Sequence, residues 1–139
     1  MKDGILQKPF FHPQYPMYLN YGSMGSIMGH ELAHGFDNSG REYDEKGILN
    51  QWWDQKTIDD FNKASECIVN QYSKFNVSDE SINGKLTLGE NIADNGGLRA
   101  SFNAYKQWSS VHGEEKALPL LNMNTDQLFF ISFAQVNMI

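Results

Sequence analysis

The 139-residue sequence has little of several features that define other classes of protein. It contains a single cysteine, so it cannot build the internal disulfide framework that supports many small secreted domains. No run approaches the roughly 18 apolar residues of a transmembrane helix, and no signal peptide is visible. Acidic residues outnumber basic ones, 17 to 11, which argues against a nucleic-acid partner because such a partner calls for a basic patch.

Proline is also scarce. Three of the four prolines fall between Pro9 and Pro16, so we expect the first 20 residues to be extended and irregular. With 40% hydrophobic and 13% aromatic residues, the chain can form one domain with an ordinary core. We expect Trp52 and Trp53 to belong to that core, where their aromatic surface packs against neighbouring elements.

Apolar periodicity predicts a mainly α-helical fold. We expect about four helices, joined by polar loops that contain glycine, at about 22–36, 55–74, 86–108 and 124–136.

The first predicted helix carries the most specific motif, His30-Glu31-Leu32-Ala33-His34. Residues four apart lie one turn apart on the same helix face, so His30 and His34 can direct their imidazoles at one metal ion. Glu31 is placed to act as a general base on a water molecule beside that ion. Catalytic zinc usually takes three protein ligands, so a third must come from elsewhere. The alternative is a helix that carries the pattern by chance and binds no metal.

A second acidic pair lies on the third predicted helix. Glu90 and Asp94 are again one turn apart and can face one site, with Glu90 as the third zinc ligand. Asp94 would accept a hydrogen bond from a ligand imidazole and so orient it, and Asp37 could do the same for His34. The alternative for Glu90 and Asp94 is a solvated acidic face of a helix.

The sequence in and around these motifs resembles the neprilysin and endothelin-converting-enzyme family of zinc metallopeptidases. The resemblance rests on Gly29–Asp37 and Leu88–Gly97, and it extends over most of the chain. The further matching segments are Gly4–Phe11, Leu19–Gly22, Trp52–Trp53, Gly113–Lys116, Gln127–Phe130 and Phe133–Val136.

The resemblance implies a fold, a cofactor and a set of roles. The fold would be a thermolysin-like zincin catalytic subdomain, with one Zn²⁺ between the first and third predicted helices. The implied ligands are His30, His34 and Glu90, with Glu31 as base and with Asp37 and Asp94 behind the ligands. The partner would be a peptide substrate. Four residues would line the apolar pocket beside the scissile bond, or else serve only in core packing: Ile5, Phe10, Ile27 and Val136.

The same resemblance leads us to expect a single partial catalytic domain over 1–139, truncated at both ends. The family has a second lobe, a substrate-binding asparagine motif before Gly4, and an oxyanion-stabilising histidine and a substrate-binding arginine beyond Val136. None of these has a counterpart here, so we expect weak or no activity from the chain alone. By family the protein would be anchored in the plasma membrane with an extracellular catalytic domain.

Two smaller features bear on that location. In the family the cysteine at Cys67 pairs with one near the C-terminus, so here Cys67 would be an orphan; a buried thiol in a cytosolic protein is the alternative. Asn76-Val77-Ser78 is an N-glycosylation sequon and would suit a surface loop.

Three functions therefore stay open from the sequence. The first is a zinc metalloendopeptidase segment. The second is a zinc-binding but catalytically inactive product or peptide-binding decoy. The third is a metal-free helical interaction module.

Overall fold

The computed structural model describes residues 3–137. Its α-helices are α1 Met17–Asn20, α2 Ser26–His34, α3 Gln55–Tyr72, α4 Leu88–His112 and α5 Thr125–Val136. A π-helical turn, Tyr21–Gly25, joins α1 to α2, and short 3-10 helices cover Asp3–Ile5 and Gly40–Glu42. Strands β1 Asn76–Val77 and β2 Glu80–Ser81 form an antiparallel hairpin in which Asn76 pairs with Ser81 and Val77 with Glu80.

The chain divides into two compact units, one formed by residues 3–30 with 96–137 and the other by residues 31–95. The first unit contains a hydrophobic core in which four side chains are buried almost completely: Tyr18, Tyr105, Leu128 and Phe129. The rings of Tyr105 and Phe129 stack with centroids 6.0 Å apart, so α4 and α5 meet through aromatic contact in this core.

Helix α1 begins at Met17, which contradicts the expectation that the first 20 residues are irregular throughout. The reason is a long-range cap. The carboxylate of Glu115 accepts hydrogen bonds from the backbone N–H groups of Met17 and Tyr18 at 2.9 and 3.2 Å. These are donors that a helix start leaves without an intrahelical partner, so the helix can begin directly after Pro16.

Serine hydroxyls donate to backbone carbonyls in and directly before the π-helical turn. Ser101 donates to the carbonyl of Tyr21 at 2.6 Å. The carbonyl of Leu19 accepts from Ser23 at 2.7 Å and from Ser132 at 2.9 Å. The hydroxyls of Ser101 and Ser132 thus connect this part of the chain to α4 and α5.

In the second unit, α3 is capped by Asp54, whose carboxylate accepts from the backbone N–H of Thr57 at 2.7 Å. The guanidinium of Arg41 lies over the rings of Trp53 and Phe61, at 5.9 and 5.2 Å from their centroids. Trp52 is half exposed and donates its Nε1–H to the Tyr43 carbonyl at 3.0 Å. The expectation that Trp52 belongs to the core is therefore wrong.

The predicted mainly α fold is confirmed, and each of the four predicted helices is present. The third extends to His112 and passes through Gly96 and Gly97 without a break. The thiol of Cys67 is free and exposed on α3, so the buried alternative is wrong. Within residues 3–137, no helix is both long and apolar enough to cross a lipid bilayer.

Candidate metal centre

Helix α2 carries the two predicted histidine ligands on one face, since His30 and His34 are four residues apart within Ser26–His34. Glu90 lies in the first turn of α4. Each of the three residues offers one ligand atom, and these atoms lie within 4.8 Å of one another. The structure thus brings together the three residues that the sequence nominated as ligands.

The spacing of His34 and Glu90 is close to that of two ligands in a zinc site. With bonds of about 2.0–2.1 Å in a tetrahedral arrangement, two ligand atoms lie roughly 3.4 Å apart. The Nε2 of His34 and the Oε2 of Glu90 are 3.6 Å apart. Two imidazoles and one carboxylate form a recognised donor set for catalytic zinc, so the chemistry of the residues fits that ion.

Asp37 lies directly behind His34 and is almost fully buried. Its Oδ2 is 2.7 Å from the Nδ1 of His34, while its Oδ1 accepts from the backbone N–H groups of Ser39 and Gly40 at 2.8 and 2.7 Å. Both carboxylate oxygens are therefore engaged. A carboxylate so held favours a proton on Nδ1 of the imidazole and leaves Nε2 available to a metal.

These contacts shift the pKa values of both groups. The hydrogen bond with Asp37 raises the pKa of His34 above its ordinary value, against the opposing effect of burial, and the nearby carboxylates of Glu90 and Glu31 add to the rise. Burial alone would raise the pKa of Asp37. The hydrogen bonds from Gly40, His34 and Ser39 outweigh it, and the pKa is lowered.

The other two predicted site acids lie on the same two helices. Glu31 follows His30 on α2, and its side chain is exposed. Asp94 is half buried on α4, one turn after Glu90. Their roles, general base for Glu31 and support of a ligand imidazole for Asp94, stay predictions.

The four predicted pocket residues all belong to the first unit, where each is partly buried: Ile5, Phe10, Ile27 and Val136. An apolar groove of about 410 Å³ in that unit is lined instead by their sequence neighbours, among them Phe11 and Met28, and by Met17 and Met24. That the predicted four form a substrate pocket stays a prediction.

The sequon residue Asn76 is exposed on β1, and its Oδ1 accepts from the hydroxyl of Ser81 at 3.0 Å. Its glycosylation also stays a prediction.

The sequence did not identify Gly97 as the residue that approaches Gly29 closely, next to the ligands. A Cβ at Gly29 would lie 2.6 Å from the carbonyl oxygen of Gly97. Glycine in a helix interior is unfavourable by itself, so an interior glycine on each of two ligand-bearing helices was the available signal.

Comparison with known families decides what these motifs belong to. The model of peptidase family M13 matches residues 1–138. The chain belongs to peptidase family M13. The resemblance to neprilysin and endothelin-converting enzymes is thereby confirmed, and membership in this zinc metalloprotease family implies zinc as the metal.

Relatives of this M13 chain include an endothelin-converting enzyme homolog from Locusta migratoria, 54% identical over 133 residues, which are 96% of this chain and 18% of that protein. Neprilysin-3 from Drosophila melanogaster is 55% identical over 134 residues, 96% of this chain and 17% of that protein. The M13 chain thus spans less than a fifth of the length of either relative.

Among solved structures, the zinc metalloprotease ZMP1 of Mycobacterium tuberculosis, crystallised with an inhibitor, superimposes with a TM-score of 0.83 at 34% identity. The match covers 95% of this chain and 21% of ZMP1. The predicted thermolysin-like zincin fold is therefore confirmed for this M13 chain.

Proposed function

We propose that this chain carries the catalytic segment of a zinc metalloendopeptidase that hydrolyses peptide bonds in oligopeptides. The observation that carries the proposal is the convergence of His30, His34 and Glu90, whose ligand atoms lie within 4.8 Å of one another. The M13 relatives named as endothelin-converting enzyme and neprilysin support the same activity.

His30, His34 and Glu90 would hold one zinc ion, with Asp37 fixing the tautomer of His34 and Asp94 supporting a ligand imidazole. When bound, zinc supplies Lewis-acid chemistry that polarises the carbonyl of the scissile bond. Glu31 takes the proton from the attacking water and later delivers it to the leaving amine. Its exposed carboxylate is accessible to both water and substrate.

Substrate selection would fall to Ile5, Phe10, Ile27 and Val136, which we propose accept a large apolar residue on the carboxyl side of the cut. The relatives are several times longer than this chain, so we also propose that full activity requires the remaining part of a longer protein. By family, that protein would be anchored in the plasma membrane with its catalytic domain outside.

The test combines two measurements on the wild type and on Glu31→Gln: zinc content after purification without added metal, and hydrolysis of a quenched fluorescent peptide. We expect about one zinc per chain in both proteins and turnover, where detectable, only with Glu31. Glu80→Gln, an exposed acid on β2, is the matched control and should behave as the wild type.

Each outcome decides between the functions that the sequence left open. Zinc with Glu31-dependent turnover supports the peptidase. Zinc without turnover supports the catalytically inactive, zinc-binding alternative for the isolated chain. Absence of zinc from the folded wild type contradicts both and favours the metal-free interaction module.

A further inference from the structure

Helices α2 and α4 touch backbone to backbone beside the first ligand. A Cβ at position 97 would lie 2.3 Å from the backbone nitrogen of His30 and 2.7 Å from its Cα. Non-bonded heavy atoms attract best at about 3.5–4.0 Å, so any side chain at Gly97 would force the backbones apart. Only a pair of glycines, Gly29 and Gly97, permits this crossing.

Helix α4 also comes close to Asp37, the carboxylate that contacts His34, and it does so at a second glycine, Gly89. A Cβ at Gly89 would lie 3.2 Å from the Oδ1 of Asn38 and 3.3 Å from the Oδ2 of Asp37, the oxygen that contacts the Nδ1 of His34. These distances are shorter than an ordinary van der Waals contact. The neighbouring atoms belong to side chains, however, so a small shift of those side chains could accommodate a methyl group at position 89. Glu90, the carboxylate ligand, is the next residue on α4.

We propose that Gly97 and Gly89 are positioning residues for the metal centre: their missing side chains let α4 approach the backbone of His30 and the carboxylate of Asp37, and so set the spacing of the ligands. The proposal rests on the zinc site of the proposed function and extends it to residues that touch no metal. A displacement of a few tenths of an ångström at either point would spoil the alignment of a histidine.

The first variant is Gly97→Ala, studied in the full 139-residue chain. We expect zinc affinity, measured by competition with a chromophoric chelator, to fall by about 10- to 100-fold, the range found when groups behind metal ligands are altered. The absorption spectrum of the Co²⁺-loaded protein should change as well, because it reports the coordination geometry. Gly89→Ala should show a smaller loss of affinity in the same direction.

The matched control is Gly22→Ala. A Cβ at Gly22 would lie 2.3 Å from the carbonyl oxygen of Phe129, the same distance as in Gly97→Ala, but against a residue of α5 that is no ligand. We expect a lower urea midpoint for Gly22→Ala with zinc affinity of the folded protein within about twofold of the wild type. The comparison separates a loss of fold stability from a loss of ligand geometry.

A Gly97→Ala protein that binds zinc as tightly as the wild type overturns the proposal, and so does an equal loss of zinc affinity in Gly22→Ala. Where Gly97→Ala does not fold, Gly89→Ala decides, and an unchanged affinity with an unchanged Co²⁺ spectrum overturns the proposal. A folded wild type that takes up no zinc refutes the proposed function as well, whereas an unaffected Gly97→Ala in a zinc-binding background refutes only the positioning role.

Discussion

Replacing Asp37 by asparagine removes one negative charge at the candidate metal centre and replaces one acceptor oxygen by a donor NH₂ group, while the size of the side chain stays the same. The amide oxygen can still accept from the N–H groups of Ser39 and Gly40, now 2.8 and 2.7 Å from Oδ1. The NH₂ group then faces the Nδ1 of His34, 2.7 Å from the present Oδ2. It can only donate there, so His34 must carry its proton on Nε2.

That tautomer cannot offer Nε2 to a metal, although Nε2 is the nitrogen that lies 3.6 Å from Glu90. Zinc binding would then require the amide to rotate and break the backbone contacts. We expect a loss of about 10- to 100-fold in zinc affinity, which corresponds to about 1.4–2.8 kcal/mol. The assay is chelator competition at pH 7, with circular dichroism to verify the helical content.

Asp44→Asn is the control, because the Oδ1 of Asp44 likewise accepts from two backbone N–H groups, of Lys46 and Ile48 at 2.9 and 3.0 Å, without a histidine partner. We expect it to bind zinc as the wild type does. Zinc affinity of Asp37→Asn within twofold of the wild type would refute the view that this carboxylate sets the tautomer of His34.

Two further predictions concern stability. In the metal-free chain, the stabilisation from the lowered pKa of Asp37 is present above about pH 3.9 and is lost as pH falls through the folded-state pKa. The stabilisation from the raised pKa of His34 is complete below about pH 6.5 and is lost as pH rises through the folded-state pKa of His34. The difference in unfolding free energy between wild type and Asp37→Asn should therefore be largest between about pH 4 and 6.5, and urea titrations that show it constant to pH 8.5 would contradict this. Asn124→Ala should destabilise the protein by about 0.5–2 kcal/mol because Asn124 and Gln127 form a reciprocal cap on α5, with bonds of 2.8 and 3.0 Å. Asn124→Ser should retain most of that stability in the same urea assay, and an equal loss in both variants would argue against the cap.

The parts of the fold that depend on local chemistry were predictable from the sequence. The Asp54 cap on α3 and the Asn124 cap on α5 follow from residue type and position, and both are present. The four-residue spacing of His30 and His34 dictates a shared face wherever the helix forms. Asp37, three residues beyond His34, is near enough in sequence for its contact with that ring to have been anticipated.

The errors arose where a contact made in the folded chain outweighs the preference of the residue itself. No residue near Met17 in the sequence indicates a helix start, because the cap comes from Glu115, 98 residues further along the chain. Trp52 was expected in the core for its large aromatic surface, but its Nε1–H is bonded to the Tyr43 carbonyl on an exposed loop. Residue type predicts how much surface a side chain could bury, while its neighbours in space decide how much it does bury.

The candidate metal centre contains contacts between residues that are near in sequence and contacts between residues that are far apart. Only the first kind could be predicted from the spacing of residues in the sequence. His34 and its carboxylate partner are local, whereas the reach of Glu90 to His34 depends on how closely α4 can pass α2 and the loop after it. In the structure, α4 comes closest to the backbone of His30 at Gly97 and to the side chains of Asn38 and Asp37 at Gly89. On the positioning role proposed for Gly97 and Gly89, an interior glycine beside a nominated ligand indicates where another helix must approach closely, because glycine is otherwise unfavourable in a helix interior.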